Sequence, residues 1–171
     1  MENKTPLVSI IMGSASDYPT MEAAAKFLDQ QNIPFEIIAL SAHRTPHEVV
    51  EFASHAHERG VKVIIAAAGT AAHLPGVVAA LTPLPVIGVP VKSSLEGMDA
   101  ALAMLQMPPG IPVATVAING ALNAAILSLQ IIAAGCPDAF KKVQAYKQSL
   151  SQKIVKDNEE LKSIRFENRT N

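Results

Sequence analysis

Tryptophan is absent from this chain, aromatic residues make up only 4% of it, and there is one cysteine, Cys136. A single thiol cannot close an internal disulfide, which fits a reducing compartment, and a cytoplasmic location is expected. Cys136 stands beside Pro137 with no base near it in sequence, so a structural role is expected rather than nucleophilic chemistry. Charge is scarce too: 17% of residues are charged and the net charge is −1. With neither a basic face nor a supply of stacking aromatics, nucleic acid is not an expected partner. No apolar run reaches the roughly 20 residues needed to cross a bilayer. The opening stretch MENKTPLVSIIMGSASD lacks the basic flank and cleavage site of a signal peptide. No carboxylate or thiolate stands at a recognisable ligand spacing from His43, His47 or His73, and His55 and His57 face different directions on a helix. No metal site is therefore expected.

What the chain does have is apolar residues, 49% of 171. Its length suits one domain, residues 1–171, with a core over about 6–135. The apolar excess over charge suggests that part of the surface is covered by copies of the same chain. Five short apolar runs recur: LVSIIM from Leu7, FEIIAL from Phe35, KVIIAAA from Lys62, LPVIGVPV from Leu84 and VATVAI from Val113. The first, third and fifth are nearly continuous in apolar residues, the pattern of parallel strands buried on both faces. Helical segments are expected between them at Thr20–Gln31, Pro46–Arg59, Leu74–Leu81 and Met98–Leu105. Repeated βαβ units of this kind predict an open, doubly wound α/β sheet of five parallel strands. Thr45, Pro46 and Glu48 predict the start of the second helix as a capping box with proline at the first helical position, and Gly60 its stop.

The last third reads differently. INGALNAAILSLQIIAAG is apolar nearly all round, which predicts a helix buried on most faces. A polar helix over about 137–164 follows, striped by Phe140, Val143, Tyr146, Leu150, Ile154, Leu161 and Ile164. At ~1.5 Å per residue it spans roughly 40 Å, more than a small domain is wide, so it is expected to lie on a neighbouring subunit.

In doubly wound sheets, ligands bind beyond the carboxyl ends of the strands where strand order reverses. With order 2-1-3-4-5 that crevice lies between strands one and three. It gathers GSASD (Gly13–Asp17), SAHRT (Ser41–Thr45) and AGTAAHLPG (Ala68–Gly76). In the first, Gly13 lets backbone approach a ligand, and Ser14 and Ser16 can hold a phosphate at a helix start. The loop also suits a plain helix cap, with Ser16 or Asp17 satisfying the free N–H groups. In the second, Arg44 offers a planar fork of donors for phosphate, and His43 can exchange a proton near neutral pH. In the third, Gly69 and its neighbours expose backbone to a flat ligand, and His73 stands where it could cap a helix. SSLEGMD and QMPPGIP, after the fourth run, could form a wall, with Met104 and Met107 as packing residues.

At these loops the chain resembles a known family. MGSASDYPTM, SAHRTP, AAHLPG, PVIGVPV, LEGMDAALAMLQMPPGIPVATVAI and NAAILSLQIIA, in this order from Leu7 to Ala134, are similar to the N5-carboxyaminoimidazole ribonucleotide mutases of purine biosynthesis. The resemblance implies a three-layer, flavodoxin-like α/β/α fold and an octamer whose subunits exchange C-terminal helices and share active sites. It implies an isomerase that moves a carboxylate from the exocyclic nitrogen to ring carbon four of an aminoimidazole ribonucleotide. His43 would be the general acid and then the general base, with no metal, cofactor or ATP. Ser14, Ser16, Ser41 and Arg44 would grip the 5′-phosphate, with Ala42 beside them in the substrate site. Asp17 would hold the ribose, while Gly69, His73 and Leu74 would frame the imidazole and its carboxylate. This chain departs from the family pattern at Thr70 and Ala67, where glycine is common, and at Tyr18, where an indole is frequent. A Cβ at Thr70 disfavours positive φ, which predicts a differently shaped third loop. Two alternatives stand beside the mutase: a carboxylase using free carbon dioxide, and a non-catalytic module binding a phosphorylated ligand.

Overall fold

The computed structural model describes residues 5–171. Five parallel strands form one sheet in the order β2-β1-β3-β4-β5, the order expected from the sequence. They are β1 (Val8–Met12), β2 (Phe35–Ala39), β3 (Val63–Gly69), β4 (Val86–Val91) and β5 (Ala114–Thr115). The register is continuous across the centre, with Ile10 opposite Ile37 on one side and Ile65 on the other. Side chains alternate between the two faces of a strand, and here both faces are covered. Ile10, Ile65 and Val89 belong to one core, while Ile11, Ile64 and Ala66 belong to the other. Burying an isoleucine such as Ile65 contributes about 1.5–3 kcal/mol, which is why the central strands read as unbroken apolar runs.

The first core is covered by α1 (Tyr18–Gln30), α5 (Ala121–Ala133) and the start of α6 (Pro137–Lys162). The second is covered by α2 (Pro46–His55), α3 (Leu74–Leu81) and α4 (Met98–Leu105). These two helical layers and the sheet make the three-layer α/β/α arrangement. Sheet and helix approach closely at Gly88, where an added Cβ would stand 2.9 Å from Met104 Sδ and 2.9 Å from Val113 Cγ1. Met104 is buried there as a packing residue.

Several expectations need correction. The fifth apolar run forms only the two-residue β5, which is not buried. It is an edge strand with a single neighbour, so its apolar composition reports no two-sided burial; β4, between two strands, is buried throughout. The second helix stops at His55, and the positive φ of Gly60 belongs to the turn that follows it. Pro46 does occupy the helix start, but Thr45 makes no side-chain cap. Its hydroxyl turns back to Ser41, donating to the carbonyl at 3.2 Å and accepting from the N–H at 3.0 Å. The short strand-to-helix turn thus uses Thr45 to fold itself and leaves no capping box.

The apolar helix α5 buries Ala121, Ala124, Ala125, Ser128, Leu129 and Ala133, so one face is covered and the rest is half open within the chain. The long helix α6 divides in two. Its first turns lie on this chain's own core: Ala139 is buried, Val143 packs against that core, and Tyr146 meets Phe27 edge-on with ring centroids 5.0 Å apart. Lys142 anchors the same segment by donating to the Gln31 carbonyl at 2.6 Å. Beyond it, Leu150, Ile154, Leu161 and Ile164 are exposed, at 60% for Ile154. Within this chain the first half of the helix is docked, apart from the exposed Phe140, and the second half has no covering surface.

Candidate active site

The turns after β1, β2 and β3 meet at a cavity of about 520 Å³ beyond the carboxyl ends of the strands. Ser14, Ser16, Asp17, Ser41, Ala42, His43, Arg44, Gly69 and Leu74 all line it. His73 stands behind His43 rather than in the wall. Two side-chain contacts tie the loops together. Arg44 Nη2 donates to the Gly13 carbonyl at 2.7 Å, joining the first loop to the second. The His43 and His73 rings meet at 2.9 Å, Nε2 to Nδ1, joining the second to the third. His47 is not part of this convergence. It lies with Glu48, Glu51 and Phe52 around a separate shallow depression.

Each loop is shaped locally. Ser14 caps the 3-10 turn at Ala15–Asp17, accepting from the Ser16 N–H at 3.3 Å and from the Ser16 hydroxyl at 2.8 Å. The cap is thus made by Ser14 and not by Ser16 or Asp17, whose carboxyl makes no side-chain cap, and the serine hydroxyls still border the cavity. Arg44 is not a free surface arginine. Its Nε donates to Ser41 Oγ at 3.3 Å, as does its backbone N–H at 3.2 Å. Two donors hold the fork in place and the others remain for a ligand, a preorganised arrangement for phosphate.

Thr70 adopts φ +52°. Thr70 thus stands in the left-handed conformation that its Cβ disfavours and that is open to glycine. The threonine hydroxyl donates to the Gly69 carbonyl at 2.8 Å, within a conformation that costs a residue with a Cβ roughly 1–2 kcal/mol.

Asp17 is half-buried between Arg44 and the turn. Burial raises its carboxyl above the ordinary range, opposed by a hydrogen bond from the Ser14 backbone and by the Arg44 charge. A carboxylate raised in the folded state makes a stability contribution that is fully present below its unfolded value and is lost as pH rises through the folded one. Asp17→Asn is therefore expected to melt at or above the wild-type temperature at pH 7. The advantage should shrink as pH falls below the ordinary carboxylate range, and differential scanning calorimetry across pH 3–8 checks it.

The sequence reading overlooked part of the wall. Thr20, Val91, Lys92 and Ser93 also line the cavity. Lys92 follows β4 directly, so the rule that drew attention to Arg44, position at the carboxyl end of a central strand, would have found it. Its ammonium pairs with Glu96, and its backbone N–H donates to Asn119 Oδ1 at 2.8 Å. Met107 stays out of the cavity, against Gly76. In the single chain His43 and Arg44 are exposed, so the cavity is open on one side.

Residues 7–153 match the family described as AIR carboxylase. The chain belongs to the AIR carboxylase family. Among its relatives in this family, the N5-carboxyaminoimidazole ribonucleotide mutase of Synechocystis sp. is 53% identical over 97% of this chain and 95% of its own length. That of Pyrococcus horikoshii is 50% identical, covering 98% and 95%. The phosphoribosylaminoimidazole carboxylase of Candida glabrata is 50% identical over 97% of this chain but only 29% of its own length. Among solved structures, Treponema denticola PurE superposes with a TM-score of 0.83 at 34% identity, covering 92% of this chain and 99% of the other.

Proposed function

We propose that this chain is an N5-carboxyaminoimidazole ribonucleotide mutase, an isomerase of purine biosynthesis acting in the cytoplasm as one domain per subunit. The observation that carries the reading is the junction of three strand-end loops at one cavity through Arg44 and His43. Supporting it are mutases matched at 53% and 50% identity over nearly their whole length.

In the proposed reaction the 5′-phosphate is held by Arg44, Ser41, Ser14 and Ser16, the ribose by Asp17, and the imidazole by Ala42, Gly69 and Leu74. Protonated His43 gives its proton to the carbamate nitrogen, and the nitrogen–carbon bond breaks to release carbon dioxide and aminoimidazole ribonucleotide. Ring carbon four attacks the retained carbon dioxide, forming the new carbon–carbon bond. His43, now neutral, takes the proton from carbon four and returns to its starting state. Holding the gas beside the ring replaces a bimolecular encounter, an effect that reaches about 7–11 kcal/mol in favourable cases. That retention requires a closed cavity, and one chain leaves it open. The reading therefore includes a homo-oligomer, which the family resemblance makes an octamer, in which neighbouring copies cover the open side and the bare half of α6.

Conversion of N5-carboxyaminoimidazole ribonucleotide without added bicarbonate, with no product from aminoimidazole ribonucleotide at ambient bicarbonate, is the expected result. Faster product formation from aminoimidazole ribonucleotide plus bicarbonate would identify the carboxylase, and binding without turnover the non-catalytic module.

A further inference from the structure

We infer that His73 is a positioning residue that fixes the tautomer of His43, so that one nitrogen of His43, Nδ1, acts first as acid and then as base. The inference rests on the proposed reaction and adds to it the atom through which each proton passes.

The two rings meet Nε2 to Nδ1 at 2.9 Å with an interplanar angle of 85°. One ring must donate and the other accept, since two lone pairs or two N–H groups cannot share that distance. The proposed reaction decides which. Protonated His43 carries N–H on both nitrogens and can only donate at this contact. His73, the residue immediately before α3, is held in place as its carbonyl accepts the Val77 N–H at 3.0 Å. His73 Nδ1 therefore accepts, and His43 Nε2–H donates. No other hydrogen bond reaches the His43 ring among the described residues, so Nδ1 is left for a ligand in the cavity that His43 lines.

This assignment resolves a difficulty in asking one imidazole to serve twice. A free neutral ring interconverts between tautomers and can turn, so the nitrogen that gave the first proton need not be the one that receives the second. With Nε2–H held by His73, loss of the Nδ1 proton leaves the lone pair where the proton was. Protonated His43 carries N–H on both nitrogens, neutral His43 only on Nε2, and the second transfer restores the first state. His73 gains and loses no proton in the cycle.

The test is nitrogen-15 spectroscopy of histidine-labelled protein without ligand, with the His43 signals assigned through His43→Asn, alongside steady-state kinetics. Wild-type protein is expected to show neutral His43 as the Nε2–H tautomer. His73→Phe keeps a ring but removes the acceptor. It should shift His43 toward a mixture of tautomers and lower kcat by about 10- to 100-fold with KM within about threefold. His73→Asn places an amide oxygen near the lost Nδ1 and should restore both the tautomer and at least tenfold of the lost kcat. Circular dichroism and melting confirm that each variant is folded. An Nδ1–H tautomer in the wild type, or an unchanged His43 signature in His73→Phe, would overturn the assignment. Equal loss of kcat in the Phe and Asn variants would show that His73 itself transfers a proton, and would overturn it too. If the wild-type protein lacks mutase turnover, the proposed function fails, while the tautomer measurement still decides the pairing.

Discussion

His43→Asn is expected to lower kcat for the carboxylate shift by about 10²- to 10⁴-fold, the range supplied by a positioned acid–base group. The loss should lie near the upper end, because the same side chain is asked to give one proton and take another. Affinity should hardly change. The phosphate and ribose contacts are assigned to Arg44, Ser41, Ser14, Ser16 and Asp17. Arg44 is held by the Gly13 carbonyl and Ser41 Oγ, neither of which depends on His43. A dissociation constant within about tenfold of wild type, roughly 1.4 kcal/mol, is therefore expected from calorimetry with the product nucleotide. Wild-type turnover in the variant would remove His43 from the reaction. A large loss of affinity with kcat preserved would make it a binding residue.

The second large effect concerns assembly. Leu150→Asp together with Ile154→Asp should reduce the native mass from that of the proposed octamer to smaller species, measured by light scattering. Both side chains are exposed on the second half of α6, and neither belongs to the cores that hold the chain together. Burying each against a neighbour would contribute about 1.5–3 kcal/mol. Losing two corresponds to roughly two to four powers of ten in the association constant. The monomer fold should survive, because Ala139, Val143 and Tyr146 keep α6 seated on α1 and α5. Turnover should fall with the mass, since the cavity is open in one chain and cannot retain carbon dioxide. A native-mass assembly in the double variant would detach the stripe from oligomer formation. A dissociated but fully active protein would show that one chain closes its own site.

Much of the fold was legible because the relevant signals are local. β-branched runs marked β1, β3 and β4, and Leu74–Leu81 and Met98–Leu105 emerge as helices with the expected bounds. Pro46 marked its helix start because it needs no N–H partner there. Legibility failed where the outcome depended on a neighbour. The fifth run and the apolar helix α5 read as buried, yet composition cannot show whether anything lies on their outer faces. Thr45 had an equally good partner in Ser41 as in the helix N-terminus, and no rule of spacing separates the two. Thr70 took a left-handed conformation against its own preference because the turn between β3 and α3 demands it.

The sequence by itself determined the alternation of strands and helices, the parallel sheet, and the placement of Asp17, His43 and Arg44 at strand ends, since apolar periodicity and turn chemistry act over a few residues. Only the tertiary structure decided that His43 faces His73, that Arg44 is held by Gly13, that Lys92 joins the wall, and that α6 is docked for half its length. Those contacts join residues about 30 or more positions apart, or on separate elements. They depend on distances that the packing of helices on the sheet fixes and that no local pattern encodes.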